Sequence, residues 1–313
     1  MTYLSNQNYT PEAHWCKLPY GMTFRNDATS VAVDSKDNVY FFSRGPVPVM
    51  IFDSEGNFID AWGENEFIRP HGITLDKEDN VYLIDTKGHM VEKRTKEGKL
   101  IFRIGEKGQA AKKQSGDIFN MPTDAAIDPD TGEIFVSDGY GNSRVHKFDP
   151  TGKLIKSWGT PGSGPGEFSL PHNIVLTSDK KIIVADRENF RLQLFTTDGE
   201  FIDQWHIHHP MSVTEGPDGN IFVGEMGPPR VQEGVRNLGN CVSILSPDGK
   251  VIEKLGDELP GPNPNQFVAP HGIAVDSKGS VYVAEVAWSE WYSRQDPTPI
   301  GEVRSVRKWN RNG

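Results

Sequence analysis

Cysteine is scarce in this chain, and long apolar runs are absent. The two cysteines, Cys16 and Cys241, stand far apart, so the sequence holds neither a disulfide framework nor a CxxC metal motif. No run of about 18 apolar residues occurs, which excludes a membrane-spanning helix. The amino-terminal segment lacks the charged and apolar regions of a secretory signal. These absences predict a cytoplasmic protein, although a leader removed beforehand would leave the same sequence.

Positive charge is also in short supply. Lys and Arg number 33 against 43 Asp and Glu, which gives a net charge of -10, and no long run of basic residues occurs. Proteins that bind nucleic acid or anionic membranes normally present a basic face, so we expect neither partner. Helical periodicity is missing as well. The hydrophobic share of 36% still supports a globular core.

Glycine and proline, by contrast, are plentiful at 32 and 22 residues, and they predict many tight turns. The segments between these turns repeat. Residues 73–76 and 81–85, separated by a polar turn, are typical of two antiparallel strands, and the pattern recurs along the chain. Further strands follow each unit across a Gly-containing hairpin turn. Equivalent points at the start of the first strand recur on average about every 48 residues: Thr29, His71, Thr123, His172, Met211 and His271.

Six units of four strands predict an all-β fold, a six-bladed β-propeller, within one domain spanning residues 1–313. The last unit lacks a fourth strand at its carboxyl-terminal end. We expect the amino-terminal segment around residues 14–18 to supply that strand. Such an exchange closes the ring and removes two exposed sheet edges.

Only three of the six equivalent positions are histidines: His71, His172 and His271. They belong to alternate blades, and each follows a proline that fixes the entry of the backbone into the strand. Because first strands line the central channel, the three imidazoles should meet at one mouth. Three converging imidazoles suit a tetrahedral Zn²⁺ site with one open position, although Cu, Fe and Ni also accept imidazole.

Loops between second and third strands should surround the same mouth, where binding residues usually lie. In these loops Arg44, Tyr140 and Arg187 do not recur from blade to blade, so we consider them functional candidates. Blades five and six carry longer insertions here, at residues 226–240 and 286–300. The second insertion contains three aromatic residues that could contact a ligand: Trp288, Trp291 and Tyr292.

Three of these loops carry polar motifs: SRG at residues 43–45, VSDGYGNSR at 136–144 and ADRENFR at 185–191. Together with the three Pro-His pairs, they are similar to the motifs of the peptidyl-α-hydroxyglycine α-amidating lyases, which are six-bladed NHL-repeat propellers. The resemblance covers about residues 31–276. Ordinary NHL propellers share the strands but not this set of polar residues.

This resemblance implies a role for each candidate. The three histidines would hold a catalytic Zn²⁺, and Tyr140 would be the general base. Arg44 would assist Tyr140 and, with Arg187, bind the substrate carboxylate in a bidentate fork. The family cleaves a carbinolamide, R-CO-NH-CH(OH)-COO⁻, into an amide and glyoxylate.

The chain also departs from the family's pattern. Ala269 replaces a methionine, and Gly141 stands in place of a cysteine. Gly272 replaces an aspartate that helps hold a structural Ca²⁺ in the channel, so a calcium ion is doubtful here.

Two other functions remain open. One is a zinc hydrolase that uses the same histidines to attack an amide, ester or lactone with metal-bound water. The other is a non-catalytic NHL module that binds a protein or small ligand at the mouth. For either enzyme we expect a small-molecule or peptide-like carboxylate substrate, and we expect a monomer.

Overall fold

The computed structural model describes residues 8–24, 26–227, 239–257, 259–294 and 303–313, with only the backbone described at 292–294. Its strands form six antiparallel sheets of four strands each. The molecule is therefore a six-bladed β-propeller, as the repeats predict. No helix among the described residues is long and apolar enough to cross a membrane.

Blades one to three follow one another in the chain, and each runs from the channel outward in sequence order. Their strands are β2 Ala28–Val33, β3 Val39–Ser43, β4 Val49–Phe52 and β5 Phe58–Trp62; β6 Pro70–Leu75, β7 Val81–Asp85, β8 Met90–Arg94 and β9 Leu100–Ile104; β10 Asp124–Ile127, β11 Ile134–Asp138, β12 Arg144–Phe148 and β13 Leu154–Trp158.

Blades four to six repeat this order, except that the outermost strand of blade six is the first strand of the chain. Their strands are β14 Pro171–Leu176, β15 Lys181–Asp186, β16 Arg191–Thr196 and β17 Phe201–His206; β18 Pro210–Glu215, β19 Ile221–Glu225, β20 Cys241–Leu245 and β21 Val251–Leu255; β22 Pro270–Val275, β23 Val281–Glu285, β24 Val306–Arg311 and β1 Tyr9–Glu12.

The hydrophobic core lies between the blades. Second strands such as β7 and β23 are buried along their whole length because a neighbouring blade covers each face. Each junction between neighbouring blades holds an apolar cluster, for example Tyr82 and Ile84 of blade two against Ala125 and Val136 of blade three. Fourth strands such as β13 are largely exposed. Packing of six similar wedges therefore holds the ring rigid around its axis.

The amino-terminal strand closes the ring by pairing with β24, but it is not the segment that the sequence predicted. The strand is Tyr9–Glu12, and it ends before residues 14–18. Trp15, at the second position of the predicted segment, instead buries its ring in the core between blades six and one, beside Tyr282 and Phe52. Pro11 is tolerated because an edge strand needs no ladder donor on its outer side.

First strands of neighbouring blades contact one another around the axis. They line a channel cavity of about 230 Å³. Because the four strands alternate in direction, the start of each first strand and the loop between second and third strands share one face. Two short helices lie in these loops: α1 Gly139–Asn142 and α2 Ala287–Arg294. Residues 228–238 and 295–300 of the two insertions, and the side chain of Tyr292, lie outside the described part of the chain.

Candidate active site

The three predicted histidines converge at one mouth of the channel. His71, His172 and His271 are all buried. Their ring centroids stand 4.7–4.8 Å apart in a nearly equilateral triangle. Their ligand atoms all lie within 4.8 Å of one another. This spacing suits three ligands of one metal ion.

A β-bulge directs each histidine inward. In blade two the ladder pairs Pro70 with Asp85 and then Gly72 with Ile84, so His71 is the extra residue. The same shift occurs around the other two histidines. A bulge leaves its extra residue unpaired and redirects its side chain. The same bulge occurs at the equivalent positions of blades one and five, which are not histidines. The bulge is therefore a general feature of this propeller, and the histidine side chains are what distinguish the site.

The neighbouring blade orients each of the three imidazoles. Each imidazole places its Nδ1 against the backbone carbonyl of the equivalent residue in the next blade. His71 lies 2.7 Å from the oxygen of Thr123, His172 lies 2.6 Å from that of Met211, and His271 lies 2.6 Å from that of Thr29. A carbonyl oxygen only accepts, so each Nδ1 must donate, and this fixes the tautomer and ring orientation.

With Nδ1 protonated, each neutral imidazole presents an Nε2 lone pair to the axis. The Tyr140 hydroxyl lies 3.1 Å from Nε2 of both His71 and His172, but it has only one proton to donate. At least one of these two buried lone pairs therefore faces another lone pair. A bound cation would remove this conflict, so the donor set fits a metal ion held by the three histidines.

Burial and neighbouring cations keep the imidazoles neutral. Burial lowers the pKa of His71 and His172 well below 6.5, with further lowering by His271 and Arg44 around His71 and by Arg187 around His172. Burial and Arg44 lower the pKa of His271 to about 3. Because a metal requires the unprotonated imidazole, this environment favours metal binding.

Tyr140 reaches the triad from helix α1, which occupies the loop between β11 and β12. Two contacts fix its position: its backbone N–H donates to the carbonyl of Met121, and the Arg187 guanidinium lies 5.7 Å from its ring centre. In this position the phenol oxygen lies beside the Nε2 atoms of His71 and His172.

Arg44 lies in the loop after β3 and is mostly buried. Its Nη1 donates to Asp27 Oδ2 at 3.1 Å, and its backbone N–H donates to the Asp27 carbonyl. Nε is buried and makes no hydrogen bond within the described structure. Burial and the nearby Arg69 charge lower the Arg44 pKa, and Asp27 opposes that shift. The Nη1 end of the guanidinium is thus anchored, while Nε is a buried donor without a partner among the described residues.

Arg187 occupies a short 3₁₀ turn after β15, where Glu188 pairs with it at 2.8 Å. Glu188 also pairs with His209, and these contacts, led by the hydrogen bond from His209, lower the Glu188 pKa to about 2. The mouth thus gathers three arginines, Arg44, Arg69 and Arg187, against the two paired carboxylates Asp27 and Glu188, and the excess of positive charge favours an anionic ligand.

Comparison with known proteins shows to which family the chain belongs. A family model described as NHL repeat matches residues 119–148 and 168–195. The chain is 33% identical to peptidyl-alpha-hydroxyglycine alpha-amidating lyase 1 of Drosophila melanogaster, over 78% of this chain and 48% of that protein. It is 32% identical to NHL repeat-containing protein 3 of Homo sapiens, over 89% of this chain and 81% of that protein. The chain belongs to this NHL-repeat propeller family. 

Relatives within the family differ in length and in what their names describe. The chain is 32% identical to mouse (Mus musculus) peptidyl-glycine alpha-amidating monooxygenase over 82% of its own length, but it spans only 29% of that protein. A solved streptogramin B lyase structure superposes with a TM-score of 0.62 at 15% identity, covering 97% of this chain and 98% of the other. That likeness supports the fold alone. Enzymes named as lyases and monooxygenases among the sequence relatives support an enzymatic, lyase-like function.

One departure from the family's pattern has a steric basis. A Cβ at Gly272 would lie 2.5 Å from the Cα of Ser30 and 3.0 Å from the Thr29 carbonyl oxygen. That oxygen is the acceptor for His271, so the glycine lets the next blade approach closely enough to bind the imidazole. At this position, where the resemblance implied an aspartate, the backbone of the next blade leaves no room for a side chain.

Some residues of the site were not predicted from the sequence. Asp27 and Arg69 lie directly before their first strands, outside the loops between second and third strands, and Asp27 is completely buried. The carbonyl partners of the imidazoles belong to Thr29, Thr123 and Met211, whose side chains reveal nothing about this role. Only their position in the repeat could have predicted this role, since these three residues occupy the positions equivalent to the histidines.

Proposed function

We propose that this protein is a zinc-dependent lyase that cleaves the C–N bond of an N-acyl-α-hydroxyglycine-like carbinolamide into an amide and a glyoxylate-like product. The main support is the Tyr140 hydroxyl, which lies 3.1 Å from two histidines of the candidate metal site. The family relationship and the gathered arginines agree with a substrate that carries a carboxylate. As sequence-based proposals, we add that the enzyme acts as a cytoplasmic monomer.

The histidine triad would hold Zn²⁺, because its donors are neutral imidazoles with fixed tautomers. A bound zinc ion supplies Lewis-acid polarisation of a substrate oxygen.

Arg44 and Arg187 would orient the substrate. The edge of Arg44 that carries Nε has no partner among the described residues and matches a carboxylate in a bidentate fork. Arg187 adds a second cation beside the Tyr140 ring. These contacts would place the carbinol hydroxyl of the substrate near the phenol oxygen.

Tyr140 would then move the proton. Once its own proton has left, the Tyr140 oxygen would take the proton of the carbinol hydroxyl, a C=O bond would form at that carbon, and the C–N bond would break. The electron pair would go to the amide nitrogen, which would receive the transferred proton from Tyr140. Substrate R-CO-NH-CH(OH)-COO⁻ therefore gives R-CO-NH₂ and OHC-COO⁻, with no water consumed.

The first experiment supplies α-hydroxyhippurate to the purified zinc-loaded protein. We expect benzamide and glyoxylate in equal amounts, and Tyr140→Phe should lower kcat by about 10²- to 10⁴-fold because it removes the proton-transfer group. Zinc content is the control and should not change. Full activity in the phenylalanine variant would overturn the role of Tyr140.

Labelled water separates the lyase from the hydrolase. Reaction in H₂¹⁸O should give benzamide without label, whereas a hydrolase that attacks the acyl carbon would place ¹⁸O in benzoate. A protein that releases neither product set from a range of carbinolamides, amides, esters and lactones would support a binding module instead.

A further inference from the structure

The carboxylate of Asp27 connects Arg44 to the insertion of blade six. Asp27 is completely buried directly before β2. Its Oδ2 accepts from Arg44 Nη1 at 3.1 Å, and its Oδ1 accepts from the backbone N–H of Ser289 at 2.9 Å. The Ser289 hydroxyl also donates to Oδ2. The buried Asp27 carboxylate thus accepts hydrogen bonds from both Arg44 and helix α2.

Ser289 lies in the first turn of helix α2, where backbone N–H groups lack partners within the helix. The Glu290 N–H donates to the carbonyl of Val286, which places Val286 at the start of the helix with an apolar side chain that cannot cap it. Asp27 supplies the missing acceptor from the opposite end of the chain, and its negative charge favours the helix N-terminus. The position of α2 therefore depends on Asp27.

This arrangement is specific to blade one. The positions equivalent to Asp27 in the other blades carry no carboxylate: Arg69, Met121, Leu170, His209 and Ala269. The left-handed backbone is not specific in this way, because the φ of 83° at Asp27 recurs as a positive φ at Met121, Leu170 and His209. That conformation belongs to the propeller, whereas a carboxylate at this position occurs in blade one alone.

The contacts with Asp27 also restrict the orientation of Arg44. Asp27 holds Nη1 and the backbone N–H, so the side chain is fixed at both of its ends. Nε has no hydrogen-bond partner in the described structure. Without Asp27, the guanidinium could rotate and present a different edge.

We propose that Asp27 and Ser289 are positioning residues that hold Arg44 for binding of the substrate carboxylate, which makes helix α2 a support of the active site. This inference rests on the proposed function, since it assigns Arg44 to a carboxylate substrate.

The test compares Asp27→Asn and Ser289→Ala with the wild type on α-hydroxyhippurate. Asparagine keeps the shape but removes the charge, so kcat/KM should fall about 10- to 100-fold, mainly through KM. Ser289→Ala keeps the ion pair and should lower kcat/KM about 3- to 10-fold. In an Arg44→Gln background neither change should have a further effect, because both act through Arg44. Effects that multiply in that background would overturn the proposal.

The chain offers a matched control at the far end of the same blade junction. Asp37 accepts the backbone N–H of Ser277 at 2.9 Å and its hydroxyl at 2.7 Å, the same pair of bonds that Asp27 accepts from Ser289. Asp37→Asn should leave kcat/KM unchanged, even if it lowers the melting temperature as much as Asp27→Asn does. An equal loss of kcat/KM in both variants would show a merely structural role and overturn the proposal.

Failure of this proposal is distinguishable from failure of the proposed function. A wild type without turnover contradicts the lyase, and binding of hippurate, the unreactive N-acylglycine, then tests Arg44 alone. Asp27→Asn and Arg44→Gln should each weaken hippurate binding, and Asp37→Asn should not. An active wild type with an equally active Asp27→Asn variant would overturn this inference and leave the lyase standing. No hippurate binding by an inactive wild type would overturn both.

Discussion

At the scale of single residues, the mouth is built from buried neutral imidazoles. Each donates from Nδ1 to a carbonyl of the next blade, so Nε2 faces the axis unprotonated. Protonation would place a cation in a desolvated site that already holds Arg44. The same environment that favours a metal therefore makes the metal-free protein sensitive to acid.

We predict that the metal-free protein loses stability as the pH falls below about 6.5. In the unfolded chain histidine titrates near 6.5, whereas the pKa of His271 in the folded protein is about 3. Between these values the unfolded state binds a proton that the folded state does not, so the free energy of unfolding falls by up to about 1.4 kcal/mol per pH unit for each histidine.

Urea unfolding of the metal-free protein between pH 7.5 and pH 5.5 measures this slope. His271→Gln removes one titrating group and should reduce the total loss across this pH window by about 1.4 kcal/mol. Identical slopes in the variant and the wild type would contradict the assignment of a depressed pKa to His271.

At the scale of elements, the repeat pattern predicts that blade six needs an outermost strand from the amino terminus, but it does not determine which residues form it. Residues 14–18 were expected to form this strand, yet the Trp15 ring fills the junction between blades six and one. Residues Tyr9–Glu12 include a proline and no alternating pattern, and they form a strand because β24 offers a partner. Tyr9 adds packing against Phe222 of blade five, with ring centres 6.4 Å apart.

Removal of this strand should open the ring. Deletion of residues 1–12 leaves β24 with an unpaired edge and removes the buried Tyr9 ring, so we expect a loss of at least about 3 kcal/mol in the free energy of unfolding. Urea unfolding with size-exclusion chromatography measures the loss and any association through the new edge. Deletion of residues 1–7 keeps β1 and serves as the control. Equal stability of the two truncated proteins would contradict closure by β1.

At the scale of the whole molecule, contacts across the ring join residues that are distant in the chain. His271 and Thr29 stand 242 residues apart, and Ser289 and Asp27 stand 262 apart. A metal held by the triad would connect three alternate blades at once and so act on the entire ring. The single domain, the monomeric state and the cytoplasmic location stay predictions from the sequence.

Metal removal should therefore destabilise the whole protein. A metal present at about a thousand times its Kd stabilises the folded state by about 4 kcal/mol, which corresponds to a fall on the order of 5–10 °C in melting temperature after chelation. Added Zn²⁺ should restore the wild type. His172→Ala should bind less metal and respond little to the chelator. An unchanged melting temperature and no bound metal in the native protein would contradict a metal centre.

Sequence alone determined the number of blades, the strands and the histidine triad, because a propeller repeats the same local pattern and a break in the pattern stands out. The lack of recurrence singled out Tyr140, Arg44 and Arg187, the resemblance implied their roles, and the structure places all three at the mouth with the triad. Only the tertiary structure decided which carbonyls orient the imidazoles and that Asp27 joins Arg44 to Ser289. Those partners lie in different blades and outside the repeat, so no local spacing in the chain encodes them.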